Sequence, residues 1–383
     1  MEIPKEYAGR EQTFLKHRVL EEYLLGWAHK LGSPKSGQVR LWYVDCFAGP
    51  WEAMSPELAD TSIAIGLSSL QTAAATWREK GWNIALSALF VEKSARSFKL
   101  LSKYIEDHVG AVDATTFHGE FGQYVEEIDR RIGSDPAFLF VDPTGWKGAA
   151  MDFIAPLASR PRRDVLVNVM FNDINRQKAN PADEIRAQIA DFFGLDDDGI
   201  LRGLDEEQLL TLYREKLKEK CGVRYAADLA IPHPHIDRTW FRLVVGGHHP
   251  AVLELFRTVE HHVVGRTAAT VRAAARAVAR SNPQQHGLFD TQAAAPSSDR
   301  RFEIRVQAHQ HQARQEVVRL VRASPRGIRF RELLHPLMER FSLRRSDVEQ
   351  IMKTLRKQRA LELPGIVGQK ARLDDNQIVF PPT

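Results

Sequence analysis

Short apolar runs alternate with helical patterns over the first 170 residues. Apolar runs at residues 41–45, 85–92, 114–121, 137–142 and 163–170 each predict a buried strand. Between them, apolar residues recur every three or four positions, which predicts amphipathic helices, the first over residues 14–31. Strands that alternate with helices in this way predict an α/β fold with a Rossmann-like, doubly wound parallel sheet.

The middle of the chain changes character. Residues 176–230 contain two amphipathic helical patterns, and we predict that they form a helical insertion. A further strand, a helix and a basic, alanine-rich helix follow. Residues 283–301 are rich in Pro, Ser, Ala and Gln and lack periodicity, which predicts a linker. We therefore expect a Rossmann domain at 1–282 and a second domain at 302–383.

The second domain has a pattern of its own. From residue 302 the order of predicted elements is helix, short strand, helix, helix and hairpin, which is typical of a winged helix-turn-helix. The chain carries a net charge of +4, but from Arg301 onward 17 basic residues stand against 9 acidic ones. This asymmetry indicates DNA or RNA as a partner, and a solvated basic surface is the alternative. For the winged helix itself, protein docking is the alternative. The expected phosphate contacts are Arg344, Arg345, Lys353, Arg356 and Lys357.

Composition excludes several classes of protein. The chain has only two cysteines, Cys46 and Cys221, too few for a disulfide framework or a four-cysteine zinc site. No apolar run approaches the roughly 18 residues that a membrane span needs, and the start lacks the apolar core of a signal peptide. The histidines near residues 233–249 lack companion ligands at metal-binding spacing. We expect a cytoplasmic protein with no metal and no membrane partner.

Four of the predicted strands end in an acidic residue: Asp45, Glu92, Glu120 and Asp142. In open α/β sheets, ligands bind beyond the carboxyl ends of the strands, and an acid after the second strand can accept hydrogen bonds from ribose hydroxyls. Glu92 fits that role, and Glu120 could meet the amino group of an adenine. The alternative is that these acids only cap the helices that follow. Four acids in this order favour a nucleoside ligand.

Two other positions are candidates for substrate contact. Lys16 and His17 lie on the polar edge of the first helix, where exposure to solvent explains them adequately and a role of Lys16 at the ligand site is the alternative. Asn172 follows the fifth strand, so it points toward the same edge of the sheet as the acids. It could bind substrate or cap the next helix.

These motifs resemble those of class I S-adenosylmethionine-dependent methyltransferases. The resemblance implies S-adenosylmethionine as the cofactor, with contacts from Asp45, Phe47, Ala48, Gly49, Pro50, Glu92, Lys93 and Glu120. In the branch that methylates amino groups, a DPPY-like tetrad ends the fourth strand. Here Asp142 and Pro143 match its start and would position the target amine, but Thr144 and Gly145 replace the rest. Trp146 could supply the stacking ring. The first loop also departs from the family, because Trp51 stands where a second glycine is usual.

More closely, residues 14–289 resemble the bacterial three-Cys-motif partner (TcmP) family. The blocks that carry the resemblance are KHRVLEEYLLGW, YVDCFAGPWE, LFVEKS, LFVDPTGWKG, VLVNVMFNDINR, RLVVGGHHP and QQHGLF. The resemblance implies a partner protein with a three-cysteine motif suggestive of radical chemistry. Two hypotheses follow. The chain is either a methyltransferase that acts on a nucleic-acid amino group, or an inactive methyltransferase-like module that senses a nucleotide or docks the three-cysteine partner.

Overall fold

A mixed seven-stranded sheet forms the centre of the first 281 residues. The computed structural model describes residues 4–49, 60–236, 238–281, 298–365 and 371–382. The strands are β1 (Arg40–Asp45), β2 (Ala85–Glu92), β3 (Val112–His118), β4 (Ala137–Val141), β5 (Arg163–Val169), β6 (Tyr225–Pro232) and β7 (Thr239–Gly247). Their order is β3-β2-β1-β4-β5-β7-β6. All pairings among the first five strands are parallel, and β7 is antiparallel to both of its neighbours.

This order confirms the predicted Rossmann-like, methyltransferase-like sheet. The chain reverses direction across the sheet between β1 and β4, so the carboxyl ends of those strands form a crevice. Successive residues of β1 point to opposite faces: Leu41 and Tyr43 join one apolar core, Trp42 and Val44 the other. Burial on both faces explains why the sequence of β1 is almost continuously apolar.

Helices cover both faces of the sheet. They are α1 (Glu11–Leu31), α2 (Ser62–Glu79), α3 (Ala95–His108), α4 (Val125–Ile132), α5 (Met151–Ala158), α6 (Phe171–Gln177), α7 (Asp183–Phe193), α8 (Glu206–Cys221), α9 (Ala251–His262) and α10 (Ala268–Ser281). Helices α1, α2, α3 and α9 supply residues to one core, and α4, α5, α7 and α8 to the other. No helix among the described residues is long and apolar enough to cross a membrane.

The predicted helical insertion is too long at its end. Residues 176–230 include α7 and α8, but the segment from Tyr225 onward forms strand β6 in the main sheet. The sequence YAADLAIP lacks a run of β-branched residues and carries Asp228 at its centre, so its periodicity does not identify it as a strand. Strand β6 forms because it pairs with β7, from Tyr225 with Gly247 to Pro232 with Thr239.

Residues 298–382 form a C-terminal unit. Its elements are α11 (Ser298–Arg322), β8 (Ile328–Arg329), α12 (Phe330–Arg340), α13 (Arg345–Lys357) and β9 (Ile378–Val379). Helix α11 begins at Ser298, within the predicted linker. Strands β8 and β9 pair antiparallel, and Glu362 forms a bridge with Phe380. The elements follow the order helix, short strand, helix, helix and strand, and the winged helix-turn-helix stays a prediction. Residues 366–370 of its expected hairpin lie outside the described residues.

A buried arginine ties the C-terminal unit to the sheet. Arg257 of α9 is 1% exposed and donates hydrogen bonds to the carbonyl oxygens of Met338 and Glu339 in α12, at 2.7 and 3.1 Å. It also donates to the carbonyl oxygen of Asp228 in β6 (2.8 Å) and pairs with buried Glu260. Because one side chain bonds to both parts, the C-terminal unit is held against the sheet through contacts that water cannot replace.

Candidate functional site

A cavity of about 750 Å³ lies at the carboxyl ends of β1 to β4. It occupies the crevice that the strand order predicts as the ligand site. Its volume is within the range of about 300–1,000 Å³ that is usual for small-molecule sites. Among the predicted site residues, Phe47, Glu92, Lys93, Glu120 and Trp146 line it. Of the four strand-end acids, Glu92 and Glu120 line the cavity, whereas Asp45 and Asp142 do not.

Aromatic side chains form one wall of this cavity. Phe47 and Phe121 lie with their ring centroids 5.9 Å apart, and Phe153 packs edge-on against Phe121 at 6.4 Å. Trp146 is 9% exposed, and its Nε1 has no hydrogen-bond partner among the described residues. A buried, unpaired N–H of this kind is uncommon, because it loses its hydrogen bond to water. The wall is therefore apolar and aromatic, with its rings set at angles to one another.

The charged residues of the cavity come mostly from the ends of β2 and β3. Glu92 is 2% exposed, accepts a hydrogen bond from the backbone N–H of Ser94, and has its pKa raised by burial. Glu120 is exposed and forms a reciprocal capping box with Gln123. Its hydrogen bonds within the protein are therefore those of a helix cap, as the capping alternative predicted. Lys93, Lys147 and Asp191 complete the set. Three carboxylates against two ammonium groups give the wall a formal charge of −1.

Asp45 does not line the cavity. It is fully buried beneath the first loop, where its carboxylate accepts hydrogen bonds from the Phe47 N–H at 3.2 Å and the Tyr43 hydroxyl at 3.3 Å. Ala48 and Gly49 are also absent from the wall, and Pro50 lies outside the described residues. The structure therefore places Asp45 as a support for the first loop.

The burial of Asp45 has a pH consequence. Desolvation raises its pKa to about 6, against hydrogen bonds from Ser62 and Phe47 that lower it. The folded chain therefore holds this proton more tightly than the unfolded chain, whose aspartate pKa is about 3.9. Between about pH 4 and pH 6, Asp45 should reduce the free energy of unfolding as pH rises, by about 2–3 kcal/mol in total. The difference in that free energy between wild type and Asp45→Asn, measured by urea denaturation, should vary over this interval; a constant difference would contradict the assignment.

Asp142 forms a cluster with two residues that are distant in sequence. Its Oδ2 pairs with the ammonium group of Lys16 in α1, and its Oδ1 accepts a hydrogen bond of 2.7 Å from the Asn168 amide in β5. Asn168 is 2% exposed, and its own Oδ1 lacks a partner among the described residues. Lys16 also lies 5.8 Å from the centre of the Phe241 ring. Exposure to solvent is thus the wrong explanation for Lys16, which is largely buried against Asp142.

His17, its neighbour, was also expected on a solvated edge. The structure buries it to 7% exposure, with Nδ1 2.9 Å from the hydroxyl of Tyr7. The prediction is wrong because the segment before α1 folds back over this face of the helix, which periodicity within the helix cannot reveal. Burial, with Lys16 nearby, lowers the pKa of His17 well below its usual value.

Other predicted residues have mixed outcomes. The Asn172 amide donates to the carbonyl oxygens of Thr239 and Trp240, which commits it to holding the start of β7. Pro143 is buried behind Asp142.

Sequence reasoning missed Asn168 and Phe121. A lone asparagine in the apolar strand VLVNV is a signal for the first; Phe121 offers none beyond its place after Glu120.

The arginines at the start of α13 are engaged within the protein. Arg345 pairs with Glu349, with Glu254 of α9 and with Asp375, and its side chain is 14% exposed. Arg344 pairs with Asp347. The Arg345 guanidinium is therefore committed within the protein, which argues against its predicted phosphate contact. The Arg344 side chain is 42% exposed, and its pair with Asp347 leaves the predicted phosphate contact open.

A basic groove lies at the other end of α13. It has a volume of about 600 Å³, and its walls come from the second half of α11 and the end of α13: His311, Arg314, Gln315, Val318, Arg319, Arg322, Leu355 and Gln358. No carboxylate lines it among the described residues. Arg319 pairs with Glu316. Arg356 and Lys357 are exposed at the same end of α13, and neither makes an ion pair within the described part of the chain.

Comparisons with known proteins found no family. No protein-family model matches the chain, and no curated protein matches it. Several solved structures are similar at low level, and three of them are described here. A protein from Staphylococcus aureus classed as a caffeoyl-CoA O-methyltransferase shows 10% identity over 58% of this chain and 82% of its own, with a TM-score of 0.28.

An O-methyltransferase-type protein from Klebsiella pneumoniae shows 11% identity over 61% of this chain and 90% of its own, with a TM-score of 0.28. Loganic acid methyltransferase with S-adenosylhomocysteine shows 10% identity over 74% and 92%, with a TM-score of 0.32. At TM-scores this low, these similarities support no conclusion, and the fold class rests on the strand order alone. By that order, the chain has a methyltransferase-like Rossmann fold.

Proposed function

We propose that this chain binds S-adenosylmethionine in the cavity at the carboxyl edge of β1 to β4 and methylates an amino group of a nucleic acid. The observation that carries the proposal is the pairing of an aromatic wall with a covered carboxylate at the end of β2. A purine ring can pack against Phe47 and Phe121, while Glu92 accepts hydrogen bonds from both ribose hydroxyls.

The charge of the wall supports this cofactor over a nucleotide. S-adenosylmethionine carries a sulfonium, an ammonium and a carboxylate group, so its net charge is positive. The wall has a formal charge of −1 from Glu92, Glu120 and Asp191 against Lys93 and Lys147. Nucleoside triphosphates carry several negative charges, which these carboxylates would repel. When bound, S-adenosylmethionine supplies a methyl group that a nucleophile can take from its sulfonium.

Asp142 is the residue that would orient the target amine. The backbone after β4 places it beside the cavity, and buried Asn168 fixes its Oδ1. Lys16 occupies Oδ2, so a target amine must displace the ammonium group of Lys16 before it can bond there. The amine needs no strong base, because its proton can leave after the methyl group has been transferred. Lys16 would then be free to meet a phosphate of the substrate.

Calorimetric titration with S-adenosylmethionine, S-adenosylhomocysteine and ATP tests the cofactor site. We expect wild type to bind the first two and not ATP. Glu92→Gln should weaken binding by roughly 10- to 100-fold, because a hydrogen bond to a charged group contributes about 1.5–3 kcal/mol. Glu106→Gln, an exposed carboxylate on α3, is the matched control and should bind like wild type. Failure of wild type to bind either compound would refute the proposal.

We assign to nucleic acid the basic groove together with the exposed side chains of Arg356 and Lys357, which lie at the same end of α13 without lining the groove. Arg356→Ala combined with Lys357→Ala should weaken binding to duplex DNA or RNA, and for duplex DNA it should reduce the magnitude of the salt slope by about 2, because each phosphate contact releases about one counterion. Fluorescence anisotropy at several salt concentrations measures both effects. Lys99→Ala with Lys103→Ala removes the same charge from exposed positions on α3 and should leave the slope unchanged. Equal slopes for the two double variants would argue against the groove.

A docking or sensing module is the second candidate. It is favoured by the Lys16–Asp142 pair, which occupies the oxygen that a target amine needs, and by Thr144 and Gly145 in place of the rest of the tetrad. The resemblance to the TcmP family supplies the partner, a protein with a three-cysteine motif. Co-purification of the two full-length proteins tests this form. Stable association together with cofactor binding and no methyl transfer would favour it over the enzyme.

A further inference from the structure

A second cavity lies at the opposite edge of the sheet. Its volume is about 450 Å³, and it is bounded by α1, the start of β5, the end of β7 and the start of α9. Tyr23, Trp27, Leu31, Val252 and Leu255 make its interior largely apolar. Asp164 is the second residue of β5, and Gly247 is the last of antiparallel β7. Both therefore lie away from the carboxyl ends that carry the proposed cofactor site.

One carboxylate faces this apolar cavity. Asp164 is 9% exposed, and its Oδ2 accepts a hydrogen bond of 2.9 Å from the Tyr23 hydroxyl. No described residue donates a hydrogen bond to its Oδ1. A Cβ atom on Gly247 would lie 2.5 Å from that oxygen and 2.6 Å from Val252, so only glycine leaves room for the carboxylate here. The fold therefore leaves Oδ1 of Asp164 available as an acceptor, although the apolar surroundings disfavour a charged carboxylate.

The Oδ1 atom of Asp164 keeps contact with solvent through the cavity, since it is not one of the buried polar atoms that lack a partner. A ligand that displaces this solvent must bring a donor of its own, because a buried acceptor without one costs about 1–3 kcal/mol, and more when it is ionised. Apolar cavities with a few convergent polar groups are the usual form of small-molecule sites. A ligand that brings an apolar body and a cationic donor would satisfy both features at once, since it would cover the aromatic surface and complete the hydrogen bonding of Asp164.

We propose that this cavity binds a small apolar amine, with its ammonium group on Oδ1 of Asp164 and its hydrocarbon part between Trp27 and Leu255. The site is separate from the proposed cofactor site and does not depend on the proposed function. The cations at the rim, Lys30, Arg162 and His249, are exposed. Solvent screens their repulsion, whereas the interior of the cavity holds only the carboxylate as a charged group.

The pH dependence of binding gives the site a signature. Burial raises the pKa of Asp164 to about 7, against the Tyr23 hydrogen bond and the nearby Lys30 charge, which lower it. An alkylamine stays protonated throughout this range. Binding should therefore weaken roughly tenfold from about pH 8 to about pH 6, as the carboxylate takes up a proton. His248 and His249 also face the cavity from the end of β7 and can add to the pH dependence of binding. The part that disappears in Asp164→Asn is the part that comes from Asp164.

The test uses phenethylamine and its neutral counterpart, phenethyl alcohol, with the full-length protein. Saturation-transfer NMR detects binding, and chemical-shift titration gives the affinity. We expect the amine to bind at least tenfold more tightly than the alcohol. Asp164→Asn should remove this preference, and it keeps an acceptor for Tyr23. Ala251→Phe, which fills the cavity without touching Asp164, should remove binding of both compounds, so the test stands even if Asp164→Asn does not fold.

Asp113→Asn is the matched control, because Asp113 is an exposed carboxylate at the same edge of the sheet and pairs only with exposed Arg40. It should bind like wild type. Absence of amine binding, equal affinity for the amine and the alcohol, or an unchanged preference in Asp164→Asn would each overturn the proposal.

Discussion

Replacing Arg257 with alanine is expected to lower the free energy of unfolding by about 3–5 kcal/mol. The change removes a guanidinium that is 1% exposed and leaves Glu260, also 1% exposed, as an unpaired buried charge. It also strips donors from the carbonyl oxygens of Asp228, Met338 and Glu339. Urea denaturation followed by circular dichroism measures the loss, and proteolysis should begin between the C-terminal unit and the rest of the chain.

The control uses an ion pair with the same spacing on the surface. Glu316 and Arg319 also lie three residues apart, but the Arg319 side chain is 64% exposed. Arg319→Ala should leave the denaturation midpoint unchanged, because exposed pairs contribute little. Replacing Arg257 and Glu260 together with methionine should recover part of the stability, since no buried charge is then left unpaired. Equal stability of Arg257→Ala and Arg319→Ala would show that the buried contacts do not hold the unit.

The second large effect is expected on methyl transfer. Under the proposed function, Asp142→Asn should reduce the rate about a hundredfold or more, because the target amine loses the carboxylate that orients it. Affinity for S-adenosylmethionine should not change, because Asp142 does not line the cofactor cavity. Single-turnover transfer from labelled cofactor, beside calorimetric titration, separates the two quantities.

Lys16→Met provides the matched comparison for Asp142→Asn. It breaks the same ion pair but leaves the carboxylate and its bond to Asn168 in place. We expect Lys16→Met to keep measurable transfer, since the competitor for Oδ2 is gone. If Lys16→Met loses as much activity as Asp142→Asn while both remain folded, the ion pair itself, rather than the carboxylate, is what the reaction needs.

The sequence predicted the sheet well because its signals are local. Buried parallel strands such as β1 and β4 are short apolar runs, which the sequence shows directly; β1 ends in Asp45, and Asp142 follows β4. Strand β6 was missed because its residues favour no strand by themselves and become one through pairing with β7. Helix α8 was predictable from its own caps: Asp205 and Gln208 form a capping box, and Gly222 adopts the left-handed conformation at its end.

The candidate site was less predictable, because its decisive contacts join distant parts of the chain. Glu92 could be identified from its place at the end of β2. The bond between Lys16 and Asp142 spans 126 positions, and no local pattern links them. The same holds for Arg345, whose partners Glu254 and Asp375 lie in other elements. Sequence reasoning finds charged residues, but only the fold shows which charges are already neutralised.

The position of the C-terminal unit has a consequence for aggregation. Strand β6 is the last strand of the sheet, so its outer backbone groups would otherwise invite pairing with another chain. The Ala226 N–H instead donates to the Glu339 carboxylate of α12. The Asp228 carbonyl oxygen accepts from Arg257 of α9, which in turn bonds to α12. The C-terminal unit therefore covers the open edge of the sheet at β6. Without this unit, β6 would be exposed to pairing with strands of other chains. We therefore expect residues 1–281 alone to be prone to aggregation.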